Sequence, residues 1–276
     1  GTFKEIGATS GIAFDSFGAT RGAMGIDAAR YRDDGALGVA IGNFANEMTA
    51  LYVSQPADSS ILFTDEALTE GIGAPSRLPL KFGIFFFDFD LDGRLDLLSA
   101  NGHLEQEISK IQKSQQYRQP AQIFWNSGPT PSGSFAPATS SQVGSDLFEP
   151  IVGRGSAYAD IDGDGDLDVI LTQNGGAPLL LRNDQNLGHH FIRLKLIGTK
   201  SNRDAIGASV HARIDGKEIW RNVTPTRSYL SQSELPVTIG LGNGSKIDQL
   251  EIIWPGGKKQ PVHAELDKRM KITEAE

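Results

Sequence analysis

The chain has 276 residues, a formal net charge of −8, 32 glycines, 13 prolines and no cysteine. This length allows one large or two modest domains, and the lack of cysteine excludes disulfides, thiolate zinc sites and a cysteine nucleophile. The negative charge argues against nucleic acid as a partner. We predict no transmembrane segment, because the longest apolar stretch, at residues 82–87, is too short to span a bilayer.

The charges are unevenly distributed along the chain. Residues 1–184 contain 12 Lys and Arg against 24 Asp and Glu, whereas residues 185–276 contain 14 against 10. This asymmetry predicts two domains, 1–185 and 186–276, of which the acidic one is partly neutralised by bound cations.

Three copies of one pattern occupy the first domain, at about 1–60, 61–130 and 131–185. Each has a loop glycine, a second glycine ten residues earlier and a phenylalanine 30 to 32 residues earlier. In chain order the loop glycines are Gly35, Gly93 and Gly165, and the phenylalanines are Phe3, Phe63 and Phe135. Each copy is predicted to form four short strands, one of them strongly apolar, as in a β-propeller blade.

The first copy has lost its acidic pattern. Its loop, residues 30–38, carries Arg30 and Arg32 where the other copies carry Asp, but keeps Asp34. We expect this loop to be metal-free. Two interpretations stay open: an arginine replaces the cation by pairing with Asp34 or Asp33, or both arginines point to solvent.

The second and third copies contain DFDLDGRLD at 88–96 and DIDGDGDLD at 160–168. Carboxylates at alternate loop positions can turn toward one point, a glycine permits the sharp reversal, and oxygen ligands suit a hard cation such as Ca²⁺. Solvated acidic turns without metal are the alternative, but they would leave clustered carboxylates repelling one another. The predicted calcium ligands in the loop 88–96 are Asp88, Asp90, Asp92, Arg94 (through its carbonyl) and Asp96. Those in the loop 160–168 are Asp160, Asp162, Asp164, Asp166 (through its carbonyl) and Asp168.

The flanks of both loops predict strands and not the helices of an EF-hand. Ser99 and Leu171 stand where an EF-hand carries its bidentate Glu, and the preceding segment FGIFFF is aromatic and β-branched. Phe85, Phe86 and Phe87 are interpreted as packing within and between blades. Residues 102–119 have helix-forming composition and are predicted to be a helical insertion.

From residue 189 onward, apolar and polar residues alternate, which predicts a small antiparallel β-sandwich. Asp215 and Gly216 predict a type I′ hairpin. Pro255 and Gly256 predict a second hairpin, as the central residues of a type II turn.

The repeats resemble the FG-GAP or VCBS repeats of integrin α-like β-propellers. The tail, with GTKSNRDAIGA at 198–208 and SYLSQ at 228–232, is similar to the ASPIC/UnbV domain that follows such repeats. The resemblance implies an all-β fold of partial propeller blades followed by a small β-sandwich domain. Since three blades are too few for a propeller, another chain or an upstream segment is expected to complete it.

The resemblance also implies a calcium-binding recognition or adhesion module that is secreted, periplasmic or on the cell surface, with a protein or glycan ligand. One alternative is a subunit of a larger assembly, docking through a basic face on the tail. The other alternative is a polysaccharide-active enzyme. We disfavour it because no H-E-x-x-H or G-x-S-x-G motif occurs, and we therefore expect that the protein is not an enzyme. The basic face would comprise Lys258, Lys259, Lys268, Arg269 and Lys271.

Overall fold

The computed structural model describes residues 2–56 and 61–276. This part of the chain is nearly all β, with twenty strands and three α-helices of four residues each. The predicted all-β class is confirmed: small antiparallel sheets in a β-propeller-like arrangement precede a β-sandwich. None of the helices described is long and apolar enough to cross a membrane.

The first two blades are four-stranded meanders. Blade 1 follows the short helix α1 (Gly7–Ser10) and has strand order β1-β2-β3-β4, and blade 2 has order β5-β6-β7-β8. The strands of blade 1 are β1 (Ile26–Ala29), β2 (Gly38–Ile41), β3 (Ala50–Gln55) and β4 (Leu62–Asp65). Those of blade 2 are β5 (Lys81–Phe87), β6 (Asp96–Asn101), β7 (Gln122–Asn126) and β8 (Phe135–Pro137).

The insertion in blade 2 was predicted to be helical, and the structure shows only one short helix there, α2 (Ile108–Ile111). The rest of residues 102–119 forms turns and two isolated bridges, one between Gly102 and Arg118 and one between Gln119 and Ile151. The helix has only one turn. Of its residues only Ile108 is buried, and a short helix that buries so little is marginal in water.

Blade 3 differs from the predicted four strands. After α3 (Ser140–Val143) and a 3₁₀ turn (Asp146–Phe148), it contains β9 (Gly153–Ala159), β10 (Asp168–Gln173) and β11 (Leu179–Leu181) in the order β11-β10-β9. Within the described residues no fourth strand pairs with β11, and the chain continues from there into the β-sandwich. The strand β11 is therefore an open sheet edge.

The blades pack face to face through their apolar strands. All seven residues of β5 are buried, as expected for a strand covered on both faces. Phe86 belongs to the cluster between blades 1 and 2, whereas Phe85 and Phe87 belong to the cluster between blades 2 and 3. The predicted packing role of these phenylalanines is confirmed.

The C-terminal segment forms a β-sandwich around its own core, which includes Ile192, Val210, Ile252 and Trp254. The strands are β12 (His190–Ile197), β13 (Ser209–Ile214), β14 (Lys217–Asn222), β15 (Thr226–Arg227), β16 (Ser231–Gln232), β17 (Val237–Gly242), β18 (Ile247–Ile253), β19 (Lys259–Pro261) and β20 (Lys268–Thr273). One sheet has the order β17-β12-β20 and the other β14-β13-β18-β19. The predicted antiparallel pairing was wrong for one pair, since β12 and β20 run parallel.

Both predicted hairpins are present, but the second has a different turn. Asp215 and Gly216 have φ of 49° and 79°, as a type I′ turn requires. The type II assignment at Pro255 and Gly256 was wrong, because the positive φ, 83°, falls one residue later at Gly257. A type II turn needs that conformation at its third residue, here Gly256.

Residues 224–234, which include the small hairpin β15-β16, leave the sandwich and contact the first strand of every blade. We call them the central segment. The backbone N–H of Ser228 donates to the carbonyl of Ile26 at 2.9 Å, and its side-chain oxygen accepts from the N–H of Ile84 at 3.1 Å and lies 2.8 Å from Ser156 Oγ. Repeat periodicity gave no sign of this contact, because it joins residues far apart in the chain.

Candidate metal centre

The two acidic loops connect the first and second strands of blades 2 and 3. Each reverses direction at its glycine, and Gly93 and Gly165 have φ of 90° and 113°, a region that other residues rarely adopt. The Asp carboxylates also accept backbone N–H groups two residues ahead: Asp92 Oδ1 accepts from Arg94 at 2.7 Å, and Asp164 Oδ1 accepts from Asp166 at 3.0 Å. The D-x-D-x-D-G spacing thus produces the curled backbone locally.

In the loop 88–96, the structure brings Asp88, Asp90 and Asp96 together. One oxygen of each lies within 4.8 Å of the others, and all three residues are buried. Asp88 Oδ2 accepts the N–H of Gly93 at 3.0 Å, whereas Asp88 Oδ1 is buried with no hydrogen-bond partner. An unpartnered carboxylate oxygen beside two other carboxylates is a suitable position for a cation.

The pKa values of these three carboxyl groups are raised, first by burial and then by neighbouring carboxylates. Burial, opposed in part by the Arg221 guanidinium, raises the pKa of Asp88 to about 8. Burial and then the neighbouring carboxylates raise the pKa of Asp96 well above its usual range, and burial and Asp92 raise that of Asp90. Without a cation, the positive charge nearby does not offset this burial, and the carboxylates are driven toward protonation.

Asp92 and Arg94 do not join this group through their side chains. The guanidinium of Arg94 donates to Asp92 Oδ2 at 2.7 Å. Within the group, Asp90 also accepts a hydrogen bond from outside the loop: its Oδ2 accepts from the indole N–H of Trp125 at 2.9 Å. Trp125 lies in β7 and was not a predicted site residue, because no spacing rule relates it to the loop.

The loop 160–168 is more exposed and holds two overlapping groups. Oxygens of Asp160, Asp162 and Asp168 lie within 4.8 Å of one another, and so do those of Asp162, Asp164 and Asp184. Asp184 follows β11 and was not predicted from the loop spacing. Asp166 accepts from the Gln185 side chain at 3.0 Å, and burial raises the pKa of Asp166 to about 6.

The last Asp of each loop also supports the backbone. Asp96 accepts N–H groups from Phe89 at 3.1 Å and Asn126 at 2.7 Å. Asp168 accepts the equivalent groups from Ile161 and Asn183, each at 2.8 Å. These two carboxylates therefore tie the loop to the third strand of the blade, a structural role in addition to the predicted ligand role.

The β-sandwich covers both acidic loops with arginines. Arg221 in β14 lies 3.6 Å from Asp88 Oδ2, which also accepts the N–H of Gly240 at 3.2 Å. Asp160 Oδ2 lies 3.0 Å from Arg269 Nη2 and 3.5 Å from Arg193 Nε, without the alignment of a hydrogen bond. The predicted sites thus lie at the contact between the blades and the sandwich.

The first loop has a different electrostatic arrangement. Arg32 pairs with Asp34 at 3.0 Å, and also with Glu66 at 2.8 Å and Glu70 at 3.0 Å. Arg30 lies 5.3 Å from the centroid of the Trp220 ring in the sandwich. Of the two interpretations, the geometry agrees with an arginine pairing with Asp34; neither arginine simply points to solvent.

The donor set fits a hard cation. It supplies carboxylate oxygens, includes the unpartnered Asp88 Oδ1, and lacks the nitrogen and sulfur ligands that zinc prefers. The ligand assignment stays a prediction.

Two histidines at the junction of blades and sandwich, and part of the predicted basic face, also make structural contacts. His189 Nδ1 lies 2.6 Å from the carbonyl of Asp90, and His190 lies 2.8 Å from Asp267. In the predicted basic face, Arg269 is directed to Asp160 and Lys259 pairs with Glu251 at 3.1 Å. The face therefore presents fewer free cations than its sequence indicates.

These observations define a class of protein: β-propeller-like blades with acidic inter-strand loops, followed by a small β-sandwich. The FG-GAP-like repeat family matches residues 88–171, which span both acidic loops. The ASPIC and UnbV family matches residues 198–276, which form most of the sandwich and include the central segment. The resemblance stated from the sequence is confirmed.

At the level of individual proteins, the chain is similar to cartilage acidic protein 1. It is 28% identical to the protein from Xenopus tropicalis over 268 residues and 25% identical to that from Mus musculus over 267 residues. Each match covers 94% of this chain and 37% of the relative. The chain thus spans a little over a third of the length of these curated relatives.

Proposed function

We propose that the chain is a calcium-stabilised recognition module of an extracytoplasmic protein, in which Ca²⁺ binds the loops 88–96 and 160–168. The buried group of Asp88, Asp90 and Asp96 carries the proposal. Its oxygens converge within 4.8 Å, and Asp88 Oδ1 has no protein partner. A divalent cation would neutralise carboxylates that burial otherwise drives toward protonation.

Calcium suits the loops better than magnesium. Ca²⁺ accepts six to eight oxygen ligands in flexible geometry, including backbone carbonyls, whereas Mg²⁺ demands a near-ideal octahedron. The loops offer several carboxylates and the carbonyls of Arg94 and Asp166, in irregular positions. Typical Kd values of extracellular calcium modules are ~10⁻⁴ to 10⁻³ M, so a calcium-rich medium outside the cytoplasm would be required.

The role of the cation would be structural. The two loops contact the sandwich through Arg221, Gly240, Arg193 and Arg269. Fixing the loops would therefore also fix the sandwich against the blades and support a rigid surface for a protein or glycan ligand. A binding role is favoured over catalysis, because the clustered acids would serve as calcium ligands and the histidines at the junction have structural contacts.

Thermal unfolding in calcium, magnesium and EDTA tests the proposal. Calcium should raise the midpoint, and Asp90→Asn and Asp162→Asn should each remove one of two binding events in a calorimetric titration. Asp33→Asn, in the loop predicted to be metal-free, is the matched control and should leave both. An unchanged midpoint at millimolar calcium, with no heat of binding, would refute the metal-stabilised module.

A further inference from the structure

A small cavity lies where the C-terminal domain meets the first strands of all three blades. Ala29 of β1, Phe87 of β5 and Tyr158 of β9 line it from the blades, and Arg221 and Arg227 line it from the C-terminal domain. We call it the junction cavity. Its volume of about 50 Å³ leaves room for a few water-sized groups and excludes larger molecules.

The two arginines of the junction cavity are buried and only partly hydrogen-bonded. The side chains of Arg221 and Arg227 are 10% and 9% exposed. Arg221 donates to the carbonyl of Gly93 at 2.9 Å, and Arg227 donates to Asp27 at 3.0 Å. The Nε–H of each guanidinium is buried and has no hydrogen-bond partner among the described residues. A guanidinium keeps its charge in a protein, so both groups remain donors.

Tyr158 brings a third donor to this cavity. The Arg227 guanidinium lies over its ring, 5.2 Å from the centroid. Tyr158 bonds to Ser233 and Glu234 through its backbone, and its hydroxyl bonds to no described residue. Burial raises the pKa of Tyr158, so the hydroxyl keeps its proton.

The charges around the cavity do not balance. Five charged residues line it, three arginines and two acids: Arg30, Arg221, Arg227, Asp88 and Glu234. Two neighbours outside the lining cancel each other, since Asp27 pairs with Arg227 and Arg193 pairs with Glu234. Arg30 donates to the carbonyl of Gly35 and forms no ion pair with a described residue. One positive charge is left over, and such a charge is costly to bury.

This count takes the predicted calcium to neutralise Asp90 and Asp96, and to that extent it rests on the proposed function. Asp160 and Arg269, farther from the cavity, pair with each other and leave the count unchanged.

The unpartnered groups suit an anion better than water. A water molecule brings two hydrogens that need acceptors. Among the lining side chains, the buried acceptor without a partner is Asp88 Oδ1, which belongs to the acidic group of the proposed calcium. An anion would instead accept from every donor and neutralise the remaining charge. The volume limits it to a small, monovalent ion.

We propose that the junction cavity binds a chloride ion, which accepts hydrogen bonds from Arg221 Nε, Arg227 Nε and the Tyr158 hydroxyl. These three donors belong to the sandwich, the central segment and blade 3. The anion would therefore join the two domains at the axis of the blades, beside the calcium loops.

Thermal unfolding in sodium chloride and in sodium gluconate, at equal ionic strength and saturating calcium, tests the site. Gluconate is too large for the cavity, so chloride should raise the midpoint with a saturating dependence on its concentration. Tyr158→Phe should weaken the apparent chloride affinity by about tenfold, the factor for one hydrogen bond to a charged group.

Tyr31→Phe is the matched control, because the Tyr31 hydroxyl is also buried without a partner but lies outside this cavity. It should leave the chloride affinity unchanged. Equal midpoints in the two salts, or equal effects of the two tyrosine changes, would overturn the proposal.

Crystals of the unaltered chain grown in sodium bromide give a second measurement that needs no variant. The anomalous signal of bromine should place an ion within hydrogen-bonding distance of Arg221 Nε and Arg227 Nε. Water alone in the cavity, or bromide only on the surface, would overturn the proposal. The two proposed ions fail separately: bromide in the cavity beside metal-free acidic loops would refute calcium alone, and occupied loops beside a cavity without bromide would refute the anion alone.

Discussion

The carboxylate of Asp27 accepts a hydrogen bond from the Arg227 guanidinium at 3.0 Å, across 200 residues of sequence. The same carboxylate accepts the N–H of Phe86 at 2.9 Å. Asp27 lies in β1 of blade 1, Phe86 in β5 of blade 2, and Arg227 in the central segment. One buried side chain thus joins two blades to the C-terminal domain.

Asp27→Ala should destabilise the chain by ~3–5 kcal/mol, because it leaves the buried Arg227 guanidinium without its partner. Chemical denaturation followed by tryptophan fluorescence measures the loss. The double variant Asp27→Ala/Arg227→Met should lose much less than the sum of the two single variants. Additive losses would show that the two side chains do not interact.

Two asparagines connect neighbouring blades: Asn126, the last residue of β7, and Asn183, just after β11. The side-chain N–H of Asn183 donates to the carbonyl of Phe89 at 2.7 Å, and that of Asn126 donates to the carbonyl of Tyr31 at 3.2 Å. Tyr31 and Phe89 occupy the same position of successive loops. The repeat therefore positions each blade against the loop of the blade before it.

Asn126→Ala should cost ~2–4 kcal/mol in the free energy of unfolding, because Asn126 is buried and also donates to Leu95 at 3.1 Å. Asn183→Ala should cost less, since Asn183 is only partly buried and its side chain makes one such bond. The denaturant midpoints of the two variants compare these losses, provided that the dependence of the unfolding free energy on denaturant concentration is the same for both. A larger loss for Asn183→Ala would contradict this account of the blade contact.

Arg269 should compete with calcium for the loop 160–168, because its guanidinium lies 3.0 Å from Asp160 Oδ2. Arg269→Ala is expected to raise the calcium affinity of this loop by up to about fivefold, equivalent to ~1 kcal/mol for a partly exposed pair. Calorimetric titration in the Asp90→Asn background isolates the site. Lys268→Ala is the adjacent control and should leave the affinity unchanged; weaker binding by Arg269→Ala would show that the arginine supports the loop.

Lys81 should make stability depend on pH in the alkaline range. Its side chain is buried and donates to the carbonyl of Ser76 at 2.7 Å, and burial lowers its pKa to about 7, with Glu47 opposing and Arg21 adding to the shift. Between pH 7 and 10 the unfolded chain holds a proton on Lys81 that the folded chain lacks. The free energy of unfolding should therefore rise with pH there, by up to ~1.4 kcal/mol per pH unit.

Comparing the chain with Lys81→Met over pH 6 to 10 isolates this contribution, because the other titrating groups are common to both. The difference between the two proteins should change with pH above about 7 and stay constant below it. Lys110→Met, at an exposed lysine, should track the parent chain throughout. Parallel curves for Lys81→Met and the parent would show that Lys81 keeps its proton in the folded state.

Short-range features were predictable because their physics is local. The spacing of Asp88, Asp90 and Gly93 determines how the loop backbone curls, and an Asp-Gly pair at 215–216 sets a type I′ turn by its two backbone conformations. Local patterns failed where two conformations compete: the turn after Trp254 placed its positive φ at Gly257, and residues 102–119 have helix-forming composition but little apolar surface to bury.

The sequence by itself determined the repeat, the acidic loops, the all-β class and the resemblance to FG-GAP and ASPIC/UnbV proteins, because each depends on residues close together in the chain. Only the tertiary structure decided which side chains meet: Trp125 and Asp184 beside the acidic loops, Arg221 and Arg269 against their carboxylates, and Ser228 among the three blades. These contacts join residues as far apart in the chain as Ile26 and Ser228, and periodicity carries no information about such pairs.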